Sequence, residues 1–132
     1  MNDDAEAVRA AVSALDEAFE RFDLNAVMEL CTKDVVFIGS GDGEEAVGRD
    51  EIGAMFARLA PQLASTEFSP GRWESVDIEV LGDVALVVAS RPATLVTPSR
   101  TLNFRYRLTG VLVQEDTRWL WRVYHGSEPG AW

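Results

Sequence analysis

The sequence predicts an α+β fold, with helices gathered in the first half of the chain and an antiparallel sheet in the second. Three observations carry this. Apolar residues recur at spacings of three and four near the start, then alternate with polar residues from Trp73 onward. The alternating runs are separated by turn-forming residues at hairpin spacing. The 132 residues, 47% of them hydrophobic, suffice for one real core and not for two ordinary domains, so a single domain over 1–132 is expected.

Val8, Val12, Leu15, Phe19 and Phe22 form one stripe of a long amphipathic helix, whose N-terminus Asp3 or Asp4 suits. The Asp23-Leu24-Asn25 break offers a fresh N-cap. Leu24, Val27, Met28 and Cys31 then make the apolar face of a short second helix. Val35-Val36-Phe37-Ile38 reads as a strand, closed by the flexible turn Gly39-Ser40-Gly41-Asp42-Gly43. Asp50 and Glu51 place negative charge in the first turn of a third helix, with Ile52, Met55, Phe56 and Leu59 buried as far as Pro61. Beyond Trp73, Val76, Ile78 and Val80 alternate into a Gly82-Asp83 hairpin turn and a strand over Val84-Ala89. Pro92 marks a bulge or an edge, because it cannot donate to a ladder. Pro98-Ser99 is the tip of a second hairpin leading into Thr101-Gln114, and Glu115-Asp116-Thr117 turns a third. The expected architecture is three helices around one early strand, followed by a four-stranded antiparallel meander.

Composition excludes several classes. A formal net charge of -10 repels phosphate backbones and anionic lipid, and Arg100, Arg105 and Arg107 are the one candidate basic cluster. No apolar run is long enough for a membrane span. The acidic Met1-Asn2-Asp3-Asp4 start lacks the features of a secretion signal, so a cytoplasmic protein is expected. The single cysteine, Cys31, has no second thiol for a disulfide or a metal, and its apolar neighbours suit a packing role.

The element order, together with Phe37-Ile38-Gly39-Ser40-Gly41, Gly48-Arg49-Asp50-Glu51-Ile52 and Trp119 followed by His125-Gly126-Ser127, resembles the SnoaL-like branch of the NTF2-like superfamily. Arg105-Tyr106-Arg107-Leu108-Thr109 with Trp119, His125 and Ser127 is also similar to the association domain of calcium/calmodulin-dependent kinases. The resemblance implies a strongly curved sheet wrapped around helices as a cone, an interior pocket, and a homodimer built on the outer face of the sheet. Function varies widely on this scaffold, from isomerases and cyclases to binding and assembly modules.

Strand alternation sends Phe104, Tyr106, Leu108, Gly110 and Leu112 inward and Asn103, Arg105, Arg107, Thr109 and Val111 outward. In the last strand, simple alternation groups Leu120, Arg122, Tyr124 and Gly126 on the inner face and Trp119, Trp121, Val123 and His125 on the outer. Arg105, Arg107, Trp119, Trp121, Val123 and His125 are therefore the candidate dimer interface, an apolar centre with a charged surround. Phe37, Met55, Trp73, Tyr106, Arg122 and Tyr124 are the candidate lining for a small hydrophobic ligand. Arg122 draws notice because an inward charge needs an anionic partner or ligand, and Gly110 and Gly126 would leave room beside the tyrosines.

The catalytic set of ketosteroid isomerase does not carry over. Alignment on the first strand puts Gly39 at its carboxylate base, Leu15 at its tyrosine, and Gly110 or Thr109 at its second acid. Glu44, Glu45, Asp50 and Glu51 have no histidine near them and read as a solvated loop and helix start. Gly39-Ser40-Gly41-Asp42-Gly43 lacks a nucleotide fingerprint and reads as a mobile pocket rim. With one histidine and no nucleophile turn, no hydrolytic triad is defensible. The expectation is a cofactor-free, metal-free, small-molecule-binding homodimer. The alternatives are an isomerase, cyclase or hydratase that stabilises an enolate through Arg122, Tyr124 or Tyr106, and an oligomeric assembly module.

Overall fold

The computed structural model describes residues 3–129. Helix α1 (Asp3–Glu20) buries Val8, Ala11, Val12, Leu15 and Ala18, the face its three-and-four spacing defines. Asp23 caps α2 (Leu24–Glu29), its carboxylate accepting the Ala26 N–H at 3.1 Å. Helix α3 (Arg49–Ala64) buries Ile52, Met55 and Leu59. It runs through Pro61 instead of stopping there; the ring removes one backbone donor on an exposed last turn, where the freed carbonyl faces solvent. Cys31 opens the first strand instead of closing α2, because Leu30 already caps that helix and its carbonyl accepts the Trp121 N–H at 2.9 Å.

The sheet has seven strands: β1 (Cys31–Ile38), β2 (Glu45–Val47), β3 (Glu67–Pro70), β4 (Ser75–Leu81), β5 (Val84–Val96), β6 (Thr101–Glu115) and β7 (Arg118–Ser127). Its order is β2-β1-β7-β6-β5-β3, with β4 also paired to β5. All pairings are antiparallel except β1 with β7. The two short strands β2 and β3 are additions to the expected meander, too brief to show a period of two. Pro92 falls where one side of β5 changes partner, between the β4 register ending at Ser90 and the β3 register starting at Ala93. A residue without an N–H is tolerated at that gap.

On β5 and β6 the faces follow alternation. Ala85, Val87, Ala89, Arg91 and Ala93 point inward with Tyr106, Leu108, Gly110 and Leu112, and the residues between them are mostly exposed. On β7 alternation fails. The register steps from Leu112↔Trp121 to Val111↔Val123, leaving Arg122 as an extra residue on β7. Such a bulge breaks the alternation, so that Trp121 and Val123, two residues apart, take opposite faces. Trp121 and Tyr124 therefore both point inward, and Trp121 is fully buried, its Nε1–H donating to the Ala11 carbonyl of α1 at 3.4 Å. Trp119 is also buried. Neither tryptophan lies on an exposed outer face, which corrects the expectation from simple alternation. Arg122, expected inside, pairs instead with the exposed Asp34, Nε to Oδ2 at 3.4 Å.

What the outer face does carry is a row of aliphatic side chains across five strands. Val47, Val36, Val123, Val111 and Leu86 stand side by side in register, with Glu79 at the end. Val47 and Leu86 are exposed and the three between them half-buried. Among the described residues no helix is long and apolar enough to cross a membrane.

Candidate functional site

The inner surface of the cone is aromatic, with two polar constructions set into it. The first joins α1 to β5. Position 91 has the inward parity of β5, so its side chain enters the core, and Arg91 is only 7% exposed. Asp16, on α1, meets it with both oxygens: Nη1 to Oδ2 and Nη2 to Oδ1, each at 3.1 Å. This is the two-pronged geometry that suits a guanidinium and a carboxylate. Trp73, in the segment before β4, donates its indole N–H to Asp16 Oδ2 at 2.6 Å. The Arg91 guanidinium lies 3.8 Å from the centroid of the Trp73 ring and 5.6 Å from that of Tyr106. Arg91 Nε–H is buried and has no hydrogen-bond partner among the described residues.

The second construction is a pair of hydroxyls. Tyr106 on β6 and Tyr124 on β7 meet Oη to Oη at 2.7 Å, both rings buried. Burial raises the pKa of Tyr106, against the opposing effects of the Tyr124 hydrogen bond and the Arg91 charge. Burial, reinforced by Tyr106, raises Tyr124 further. Both therefore stay protonated at neutral pH, and a pair that shares one hydrogen bond keeps one O–H free to donate. Phe37 stacks on Tyr124 with centroids 4.8 Å apart and planes at 8°, and Phe19, Phe56 and Phe68 extend the aromatic lining.

Glycines allow this packing. At Gly126 a Cβ would meet the Tyr106 hydroxyl, and at Gly110 it would come within 2.5 Å of the Trp121 ring. The room expected beside the tyrosines exists, and these side chains fill it. The loop after β1 also departs from expectation. Glu44 is half-buried, and burial raises its pKa, with Gly41's backbone hydrogen bond opposing and Glu128 reinforcing.

Of the candidate lining residues, Phe37, Trp73, Tyr106 and Tyr124 come together at this cluster. Met55 is fully enclosed beneath α3, and Arg122 is outside. Sequence reasoning missed Asp16 and Arg91, and set Glu44 aside as part of a solvated loop. A signal existed for two of them: Arg91 shares the parity of Ala85, Val87 and Ala89, and Asp16 falls one turn after Val12 on the buried stripe. Nothing local marks Glu44. Two open depressions, of about 520 and 430 Å³, lie beside Lys33 and Asp50 and beside Ser65 and Pro98; none of the candidate lining residues borders either. Burial pushes the Cys31 thiol up to about 12, with Arg49 opposing, which removes it as a nucleophile. Among the described residues no three His, Cys, Asp or Glu are grouped to hold a metal ion.

The family profile described as "SnoaL-like domain" matches residues 8–131. A ketosteroid isomerase-like protein from Erwinia carotovora atroseptica has a similar structure, with a TM-score of 0.78 and 23% identity, covering 99% of this chain and 100% of that one. So does a proposed dehydratase of the NTF2-like family from Streptomyces avermitilis, with a TM-score of 0.78, 22% identity and coverage of 99% and 100%. The hub of the kinase CaMKII from S. rosetta aligns with a TM-score of 0.76 and 22% identity over 96% and 97%. At these identities the likeness is one of fold. A search of curated proteins finds no match.

Proposed function

The chain belongs to the SnoaL-like domain family, and from that premise we propose that it binds a small hydrophobic molecule with a hydrogen-bond-accepting end, inside the cone and without a resident cofactor. One observation carries this reading: the cone holds a buried guanidinium on a part-buried carboxylate and a buried hydroxyl pair where apolar side chains would pack at lower cost, and leaves Arg91 Nε–H without an acceptor among the described residues. A buried ion pair is often no more stabilising than well-packed hydrophobic residues of the same volume, and an unmet buried N–H costs about 1–3 kcal/mol. A ligand oxygen would satisfy that donor and the free hydroxyl proton, while Phe37, Trp73, Phe56 and Phe68 would enclose the ligand's apolar body.

Thermal shift against a library of small aromatic ketones, phenols and carboxylates tests it. A ligand at a hundred times its Kd should stabilise the fold by about 2.7 kcal/mol, and Tyr106→Phe should weaken it. A library that leaves the melting temperature unmoved throughout would overturn the reading.

A second reading, an oligomeric module, has its own support in the aliphatic row Val47, Val36, Val123, Val111 and Leu86. Exposed apolar surface of this kind marks interaction sites. We place a homodimer contact there, with the exposed Arg105, Arg107 and His125 at its perimeter. Arg105 is already held by Glu74, Nη2 to Oε1 at 2.6 Å. Dimerisation and ligand binding use opposite faces of the sheet and are compatible.

A further inference from the structure

Where β5 changes partner at Arg91 and Pro92, the chain opposite is longer than the ladder needs. The β3 register ends at Pro70↔Ala93 and the β4 register begins at Ser75↔Ser90, so residues 71–74 lie opposite only those two residues of β5. The Gly71 N–H donates to the Pro92 carbonyl at 2.7 Å and the Glu74 N–H to the Ser90 carbonyl at 2.9 Å, which anchors the excursion at both ends. The first anchor needs a glycine, because a Cβ there would lie 3.0 Å from the Pro92 carbonyl oxygen. Arg72 and Trp73 stand between the anchors, outside both registers. Gly71, Arg72 and Glu74 are exposed, and Trp73 is half-buried because its indole turns back over Arg91. A segment that leaves the ladder among exposed neighbours opens at lower cost than the strands it joins.

The indole makes the contacts there that a bound aromatic molecule would make. Its ring centroid lies 3.8 Å from the guanidinium carbon of Arg91, and its N–H donates to Asp16 Oδ2 at 2.6 Å. Asp16 is the more accessible partner, its side chain 27% exposed against 9% for Arg91. An indole has a donor and no acceptor, so it leaves Arg91 Nε–H unanswered, buried and without a partner among the described residues. Other parts of the inner face are already filled: the Tyr106 hydroxyl occupies the space at Gly126, and the Trp121 ring that at Gly110. Taking the cone as a small-molecule site, we propose that Trp73 holds the site closed by imitating its ligand, and that the ligand is a planar aromatic hydroxy compound. The ligand's ring takes the indole's place over the guanidinium. Its hydroxyl, donor and acceptor in one group, gives to Asp16 Oδ2 and takes from Arg91 Nε–H. Residues 71–74 move outward between their anchors, and the displaced indole becomes the outer wall of the filled site. An aromatic ether takes from Arg91 Nε–H but has nothing to give Asp16, and so binds more weakly than the corresponding phenol.

The test uses 2-naphthol and 2-methoxynaphthalene on the full chain, with calorimetry for affinity and NMR for the contact. The indole N–H resonance of Trp73, assigned by triple-resonance spectra of isotope-labelled protein, reports its hydrogen bond to Asp16. 2-Naphthol should bind the wild-type protein and move that resonance upfield along the same saturation curve, as the carboxylate is given up. Trp73→Phe keeps a ring over Arg91 and removes the competing donor. It should bind 2-naphthol about tenfold tighter than wild type does, with its affinity for 2-methoxynaphthalene unchanged. Binding of 2-naphthol with the Trp73 resonance unmoved would overturn the inference and leave the small-molecule reading standing. So would an equal gain for both probes in Trp73→Phe, or a wild-type protein that binds the ether as tightly as the phenol. The wild-type titration decides by itself if the variant fails to fold. Absence of 2-naphthol binding to either protein would also overturn the inference, and the ketones and carboxylates of the thermal-shift library then decide the wider reading.

Discussion

The residue whose environment departs furthest from its sequence context is Glu44. It stands beside a run of glycines and polar residues that reads as solvent-exposed, yet its carboxylate is folded against Gly39 and Gly41 with Glu128 and Tyr106 near. Its pKa is raised on folding, so the native state holds this proton more tightly than the unfolded chain does. That contribution to stability is fully present below the ordinary carboxylate range and is lost as pH rises through the raised native value. Glu44→Gln removes the charge and keeps the shape. The variant should melt at a higher temperature than wild type at pH 7, and the difference should vanish near pH 4. Calorimetric scans across that range check it; a variant less stable than wild type at pH 7 would mean that the Gly41 hydrogen bond outweighs burial.

At the scale of elements, the bulge in β7 decides what the last strand does. One extra residue, Arg122, turns Trp121 and Tyr124 to the same side and expels the arginine to Asp34. Trp121 then covers Gly110 and reaches α1, tying β6, β7 and the first helix together. Its role is in folding and not in association. Trp121→Ala should cost about 3–5 kcal/mol, read as a lower urea midpoint, and Trp121→Glu should fail to fold because it buries an unpaired charge. A folded, monomeric Trp121→Glu protein would contradict this placement.

For the whole molecule, the sheet has two faces with different work. The helices cover the inner one, and the outer one presents Val47, Val36, Val123, Val111 and Leu86 in a row. A homodimer placed on that row would be symmetric, each copy offering the same patch. Val111→Lys sits beside its central Val123, on the side away from the core. Light scattering should report a dimer for wild type at micromolar concentration and a monomer for Val111→Lys, with the melting profile of the monomer still cooperative. A wild-type monomer would remove the outer face as a homodimer contact.

Periodicity alone determined the three helices, the long strand β6 with its inward face, the first half of β5, the hairpin turns and the α+β class, because each rests on a spacing of 3.6 or 2 within one continuous segment. The aromatic members of the cluster, Phe37, Trp73, Tyr106 and Tyr124, were legible for the same reason. Tertiary structure decided the rest. The bulge at Arg122 depends on how β7 registers against β6, and no residue in β7 announces it. The Asp16–Arg91 pair spans 75 positions, and Trp73 reaches the same carboxylate from 57 positions away. Such features join residues remote in the chain, and a local pattern carries no record of which distant side chain a buried charge will meet.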